Sequence, residues 1–132
     1  VLAKKYVNFK TNNMTPEKAW EAIKVIGWGT ETTDYREAAE NLRSLLLEDQ
    51  IAELFDFCQD RVAEVQAALH KNWLAHELEC DGWLSDDGFY DLCCHIVGTG
   101  KDSYEKAIVT NQPPPTITHE ENFMYIFQPI QA

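Results

Sequence analysis

Over residues 51–69 the apolar side chains Ile51, Leu54, Phe55, Cys58, Val62, Val65 and Leu69 recur at intervals of 3, 1, 3, 4, 3 and 4. That is the period of an α-helix; a strand, whose side chains alternate every second residue, would scatter them over both faces. The remaining positions include Glu53, Asp56, Asp60, Arg61 and Glu64. The segment therefore predicts one long amphipathic helix with a solvated acidic surface, starting near Glu48-Asp49, where the helix dipole favours acids. An apolar stripe of this length has to be buried against other elements.

The rest of the chain supplies partners of the same kind. Thr15-Pro16-Glu17 reads as N-cap, first helical residue and first-turn acid. The helix it opens carries Ala19, Trp20, Ile23 and Ile26 on one face and ends at Gly27-Trp28-Gly29-Thr30. Asp34-Tyr35-Arg36-Glu37 resembles a capping box and starts a helix with Leu42, Leu45 and Leu46. A short helix is expected over 73–78, broken by Asp81-Gly82. Ser85-Asp86-Asp87 caps another, with Phe89, Leu92, Cys93, Ile96 and Val97 inward and Gly98 and Gly100 as its stop. Asp102 or Ser103 caps a last helix through Val109, before Asn111-Gln112-Pro113-Pro114-Pro115, which cannot be helical.

Two stretches read differently. Lys5-Tyr6-Val7-Asn8-Phe9-Lys10 and Phe123-Met124-Tyr125-Ile126-Phe127 are rich in aromatic and β-branched residues and predict short strands. The expected fold is thus all-α, a compact bundle of five or six helices with short strand-like segments at the N- and C-termini. The expected organisation is an arm over 1–13 (a strand or the remnant of an upstream segment), a helical domain over 14–111, and a Pro-rich linker with a strand-like tail over 112–132. A first residue Val1 in place of Met is what a fragment or processed form would show.

Charge narrows the partners. The chain carries 22 acidic and 11 basic side chains, a formal net of −11. Residues 1–13 hold three lysines and no acid, so residues 14–132 hold 8 bases against 22 acids, a net of −14. Such a body repels a nucleic-acid backbone or an anionic membrane and attracts cationic proteins. No apolar run reaches the roughly 18 residues of a membrane span. Cys58, Cys80, Cys93 and Cys94 lack the even spacing of a secreted disulfide scaffold and read as reduced thiols of a cytoplasmic protein.

The densest polar cluster runs from Asp81-Gly82-Trp83 through Ser85-Asp86-Asp87 to Asp91. Helix capping accounts for it, each first-turn acid contributing roughly 0.3–1 kcal/mol. An EF-hand register cannot be drawn through it. Metal ligation by His76 and Cys80 with Cys93, Cys94 or His95 lacks the paired spacing of a structural zinc site, and neighbouring cysteines on a helix diverge by about 100°. The expectation is therefore no metal, no cofactor and no catalytic residue, with Cys93 packed inward and His95 partly exposed. Trp28 and Trp83, beside glycines and turn residues, are expected to be partly exposed aromatic anchors.

The pattern Trp73-Leu74-Ala75, Gly82, Ser85-Asp86-Asp87-Gly88-Phe89, Gly100 and Tyr104-Glu105-Lys106-Ala107 resembles a bacterial family of unknown function, domain of unknown function 4240. The likeness extends over about residues 14–111. It implies a bacterial origin and a helical fold, and no reaction. Asp81-Gly82-Trp83-Leu84 replaces a glycine-glycine-cysteine turn of that family, and Leu92-Cys93-Cys94-His95 replaces its Phe-Arg-x-Trp run. Any family role for Asp86 and Asp87 that depends on the arginine is therefore lost here.

These readings converge on a non-catalytic acidic protein-binding module of bacterial type, in concrete form an immunity protein or inhibitor that neutralises a basic toxin. Its expected contacts are Glu53, Asp56, Asp60 and Glu64, or Asp81, Asp86, Asp87 and Asp91, with Trp28 and Trp83 as anchors. The competing readings are a metal-dependent hydrolase built on the Ser85-Asp86-Asp87 cluster, and a regulatory domain of a longer protein.

Overall fold

The computed structural model describes residues 14–28, 35–69, 86–112 and 123–127. These form five α-helices, α1 (Pro16–Ile26), α2 (Tyr35–Leu45), α3 (Glu48–Ala68), α4 (Asp86–Gly98) and α5 (Lys101–Thr110), and one 3-10 helix (Phe123–Phe127). No strand occurs among the described residues.

The long central helix is the one the apolar stripe predicts. Leu54, Cys58, Val62, Val65 and Leu69 are buried, with Ile51 and Phe55 at the edge of the core. At 21 residues, α3 spans about 31 Å. It packs most extensively on α4 and also meets α1, α2, α5 and the 3-10 helix. The other helices present Ala19, Ala22, Ile23 and Ile26 from α1, Ala38, Ala39 and Leu42 from α2, and Ile96 and Val97 from α4 to one continuous core.

Helix ends follow local chemistry. The Thr15 hydroxyl accepts from the Lys18 amide at 3.2 Å, and Gly27 closes α1 in the left-handed conformation. At the start of α3 the Gln50 side chain reaches back to accept from the Leu47 amide at 3.1 Å, which leaves Gln50 the one buried polar side chain among the described residues. One boundary differs from expectation. Gly100, at φ 117°, is the N-cap of α5 in place of Asp102 or Ser103. At the other end α5 stops at Thr110, one residue past the expected Val109, with Asn111 in the left-handed conformation as its C-cap.

The strand expected over 123–127 is instead a 3-10 helix seated in the core, with Phe123 and Ile126 fully buried. Its FMYIF sequence is apolar throughout, so it suits burial on several sides and lacks the alternation of a half-exposed strand. Arg43 on α2 fixes it by donating to the Ile126 and Phe127 carbonyls at 2.9 and 3.4 Å. Phe123 lies against Gly98 so closely that a Cβ there would come within 2.5 Å of the ring. The expected arm over 1–13, the helix over 73–78 and the caps at Asp34 and Ser85 lie outside the described residues.

Candidate functional site: the acidic flank of α3 and its aromatic border

Six acids and a single arginine lie on α3. Asp49, Glu53, Asp56, Asp60 and Glu64 recur at intervals of 4, 3, 4 and 4, a spacing that runs them along one flank of the helix. All five are exposed.

The structure divides the four acids expected to contact a partner. Glu53 accepts from the Met14 backbone amide at 3.4 Å and ties the entry of α1 to α3. Glu64 pairs with Arg61 at 2.6 Å and accepts a hydrogen bond from the Tyr104 hydroxyl on α5. Asp56 and Asp60 have no such partner among the described residues. Like charges one turn apart weaken a helix by about 0.2–0.5 kcal/mol per pair. Stability of α3 therefore does not account for this pair.

An aromatic ledge borders the flank. Trp20 from α1 meets Phe57 of α3 edge-on at 5.3 Å and Tyr104 of α5 at 5.1 Å. The Arg61 guanidinium stands over the Phe57 ring at 4.8 Å while it pairs with Glu64. All three aromatics are half-buried. Desolvation, reinforced by the bond to Glu64 and by its charge, raises the Tyr104 phenol to about 12, so the hydroxyl stays a donor through neutral pH. Neither Trp20 nor Phe57 was singled out by sequence pattern. Trp20 lies on the apolar face of α1, and Phe57 lies off the α3 stripe beside Asp56; that displacement from the stripe is the one local sign of its position.

Trp28 corrects its expectation. It is only 8% exposed, since its indole meets His95 edge-on at 4.7 Å and Phe123 at 5.5 Å. It does lie in the turn that follows α1, but contacts to residues 67 and 95 positions away in the chain bury it there. Asp81 and Trp83 lie outside the described residues, as do the side chains of Asp86 and Asp87. Asp91 is half-buried on α4, remote in sequence from the α3 flank.

The thiols are inward. Cys93 and Cys94 are both fully buried, as is Cys58. Burial, helped by the neighbouring Cys94, pushes Cys93 up to about 12 and Cys58 higher still. The Cys58 and Cys93 thiols are therefore protonated at neutral pH and poor nucleophiles. Among the described residues no group of three or more His, Cys, Asp or Glu side chains is arranged to hold a metal ion. His76 and Cys80, the other candidate ligands, lie outside that set.

Two concavities flank these features. One, about 690 Å³, is lined by Arg43, Leu46, Glu48, Ile51, Phe55 and Phe127, and none of the five acids of the Asp49–Glu64 row is among its lining. The other, about 560 Å³, opens between α1 and the α4–α5 junction, with Trp20 and Trp28 in its lining. Among the described residues, no helix is long and apolar enough to cross a membrane.

No curated protein and no solved structure matches the chain. The family model of the protein of unknown function DUF4240 matches residues 14–124. That span takes in all five described α-helices and reaches Phe123 and Met124 of the 3-10 helix. The chain therefore belongs to the DUF4240 family.

Proposed function

We propose that this domain is a non-catalytic binding module for a basic protein, acting in the cytoplasm, and that the α3 flank is its contact surface. The observation that carries this reading is the pair Asp56 and Asp60, exposed, one turn apart and without an ion-pair or hydrogen-bond partner among the described residues, beside the aromatic ledge of Trp20, Phe57 and Tyr104. Exposed carboxylates steer a cationic surface into encounter and speed association. Aromatic side chains at the border supply contact area at low entropic cost. The concrete form is an immunity protein or inhibitor that covers the cationic cleft of a basic toxin. Two other acids of the flank are engaged within the fold, Glu53 by the Met14 amide ahead of α1 and Glu64 by Arg61 and by Tyr104 of α5.

The test is affinity capture from the native host with the wild-type chain and with the Asp56→Asn/Asp60→Asn variant, at low and high salt. The reading expects a protein of basic isoelectric point that is retained at low salt, released at high salt and lost with the double variant. Equal capture by both chains, or retention indifferent to salt, would overturn it.

A further inference from the structure

The cleft between α1 and the α4–α5 junction has a composition that the α3 flank does not explain. Glu17, Trp20, Glu21 and Lys24 line it from α1 at intervals of 3, 1 and 3, one face of that helix. Lys101 and Asp102 face them from the start of α5. Space is open above Gly100, where an added Cβ would meet nothing within 4 Å. The volume, about 560 Å³, falls within the range of small-ligand sites.

Three carboxylates and two ammonium groups line the cleft. Lys101 pairs with Glu105 one turn along α5 at 3.7 Å. Three acids, Glu17, Glu21 and Asp102, then stand against Lys24 in a lining that also includes Trp20. A flat cation satisfies both features, because guanidinium stacks on indole and takes carboxylates through its fork of donors. The same combination already occurs within the chain. Arg61 stands over Phe57, which touches Trp20, and pairs with Glu64.

We propose that this cleft receives an arginine side chain of the basic partner, stacked on Trp20 and paired with Glu17, Glu21 or Asp102; the inference rests on the binding reading above. Trp20 joins the two surfaces, since its ring belongs both to the ledge beside the α3 flank and to the cleft wall. The α3 flank supplies long-range attraction, and the cleft supplies the residue-level choice of arginine over lysine.

The test uses Nα-acetyl-arginine amide as probe, with Nα-acetyl-citrulline amide as its uncharged isostere and Nα-acetyl-lysine amide as the point-charge control. Amide and indole NMR shifts of the full chain are followed during titration. The arginine probe should shift the Trp20 indole and the Gly98 and Gly100 amides saturably, with millimolar affinity. Citrulline should give no saturation, and lysine should bind at least about tenfold more weakly. Glu21→Gln and Asp102→Asn, both at exposed positions, should weaken the arginine probe, and Lys24→Gln should tighten it. Equal binding of citrulline, no saturable shift, or unchanged affinity in all three variants would overturn the proposal. Capture separates it from the parent reading. A basic partner lost with Asp56→Asn/Asp60→Asn but held normally by Glu21→Gln/Asp102→Asn would remove the cleft's role and leave the binding function standing.

Discussion

Gly98 of α4 and Phe123 of the 3-10 helix are in such close contact that no side chain fits between them: a Cβ on Gly98 would approach the phenyl ring to 2.5 Å. Phe123 is fully buried and stacks edge-on with Trp28 and Phe127. Alanine at 98 would favour the helix by up to about 1 kcal/mol, yet overpacking of this kind costs about 1–3 kcal/mol. Gly98→Ala should therefore destabilise the fold in urea titration. The same substitution made on Phe123→Ala should be neutral or stabilising, because the ring it strikes is gone.

Arg43 tests the same junction from the other side. Its guanidinium donates to the carbonyls of Ala39, Ile126 and Phe127. Arg43→Met keeps much of the apolar stem and removes the donors. It should cost about 1–2 kcal/mol in chemical unfolding and raise amide exchange in the 3-10 helix before α3.

The helices were legible in sequence because their signals are local. The α3 stripe, the Thr15 cap and the Gly27 stop each act within a few residues. The 3-10 helix was not legible, because FMYIF has strand-like composition and its structure comes from Arg43 and Gly98, 83 and 25 residues upstream of Ile126 and Phe123. Trp28 failed for the same reason, being buried by His95 and Phe123. Of the candidate site, the acidic flank was visible as the complement of the stripe. The division of labour within it was not, since it depends on Met14, Arg61 and Tyr104 reaching Glu53 and Glu64 across helices or turns.

Tyr104 gives a pH prediction. Its phenol is raised to about 12, first by desolvation and then by the Glu64 carboxylate. Because the folded value lies above the ordinary value of 10, this stabilisation is complete below pH 10 and is lost as the pH rises towards 12. The phenolate absorbance difference between wild type and Tyr104→Phe should appear near pH 12, and the two chains should converge in stability there.

The buried thiols predict selective chemistry. Cys58, Cys93 and Cys94 should resist alkylation at pH 8 in the native chain and react on unfolding, as peptide mapping by mass spectrometry would show. Rapid native labelling of Cys93 or Cys94 would contradict their burial in the core.

The central claim is that Asp56 and Asp60 serve binding and contribute nothing to the fold. The most direct measurement pairs the unfolding free energy of Asp56→Asn/Asp60→Asn with its capture of a basic partner at low salt. The account predicts stability within about 0.5 kcal/mol of wild type, or slightly above it, together with loss of the partner. A variant that unfolds more readily, or one that captures the partner as well as wild type does, would contradict it.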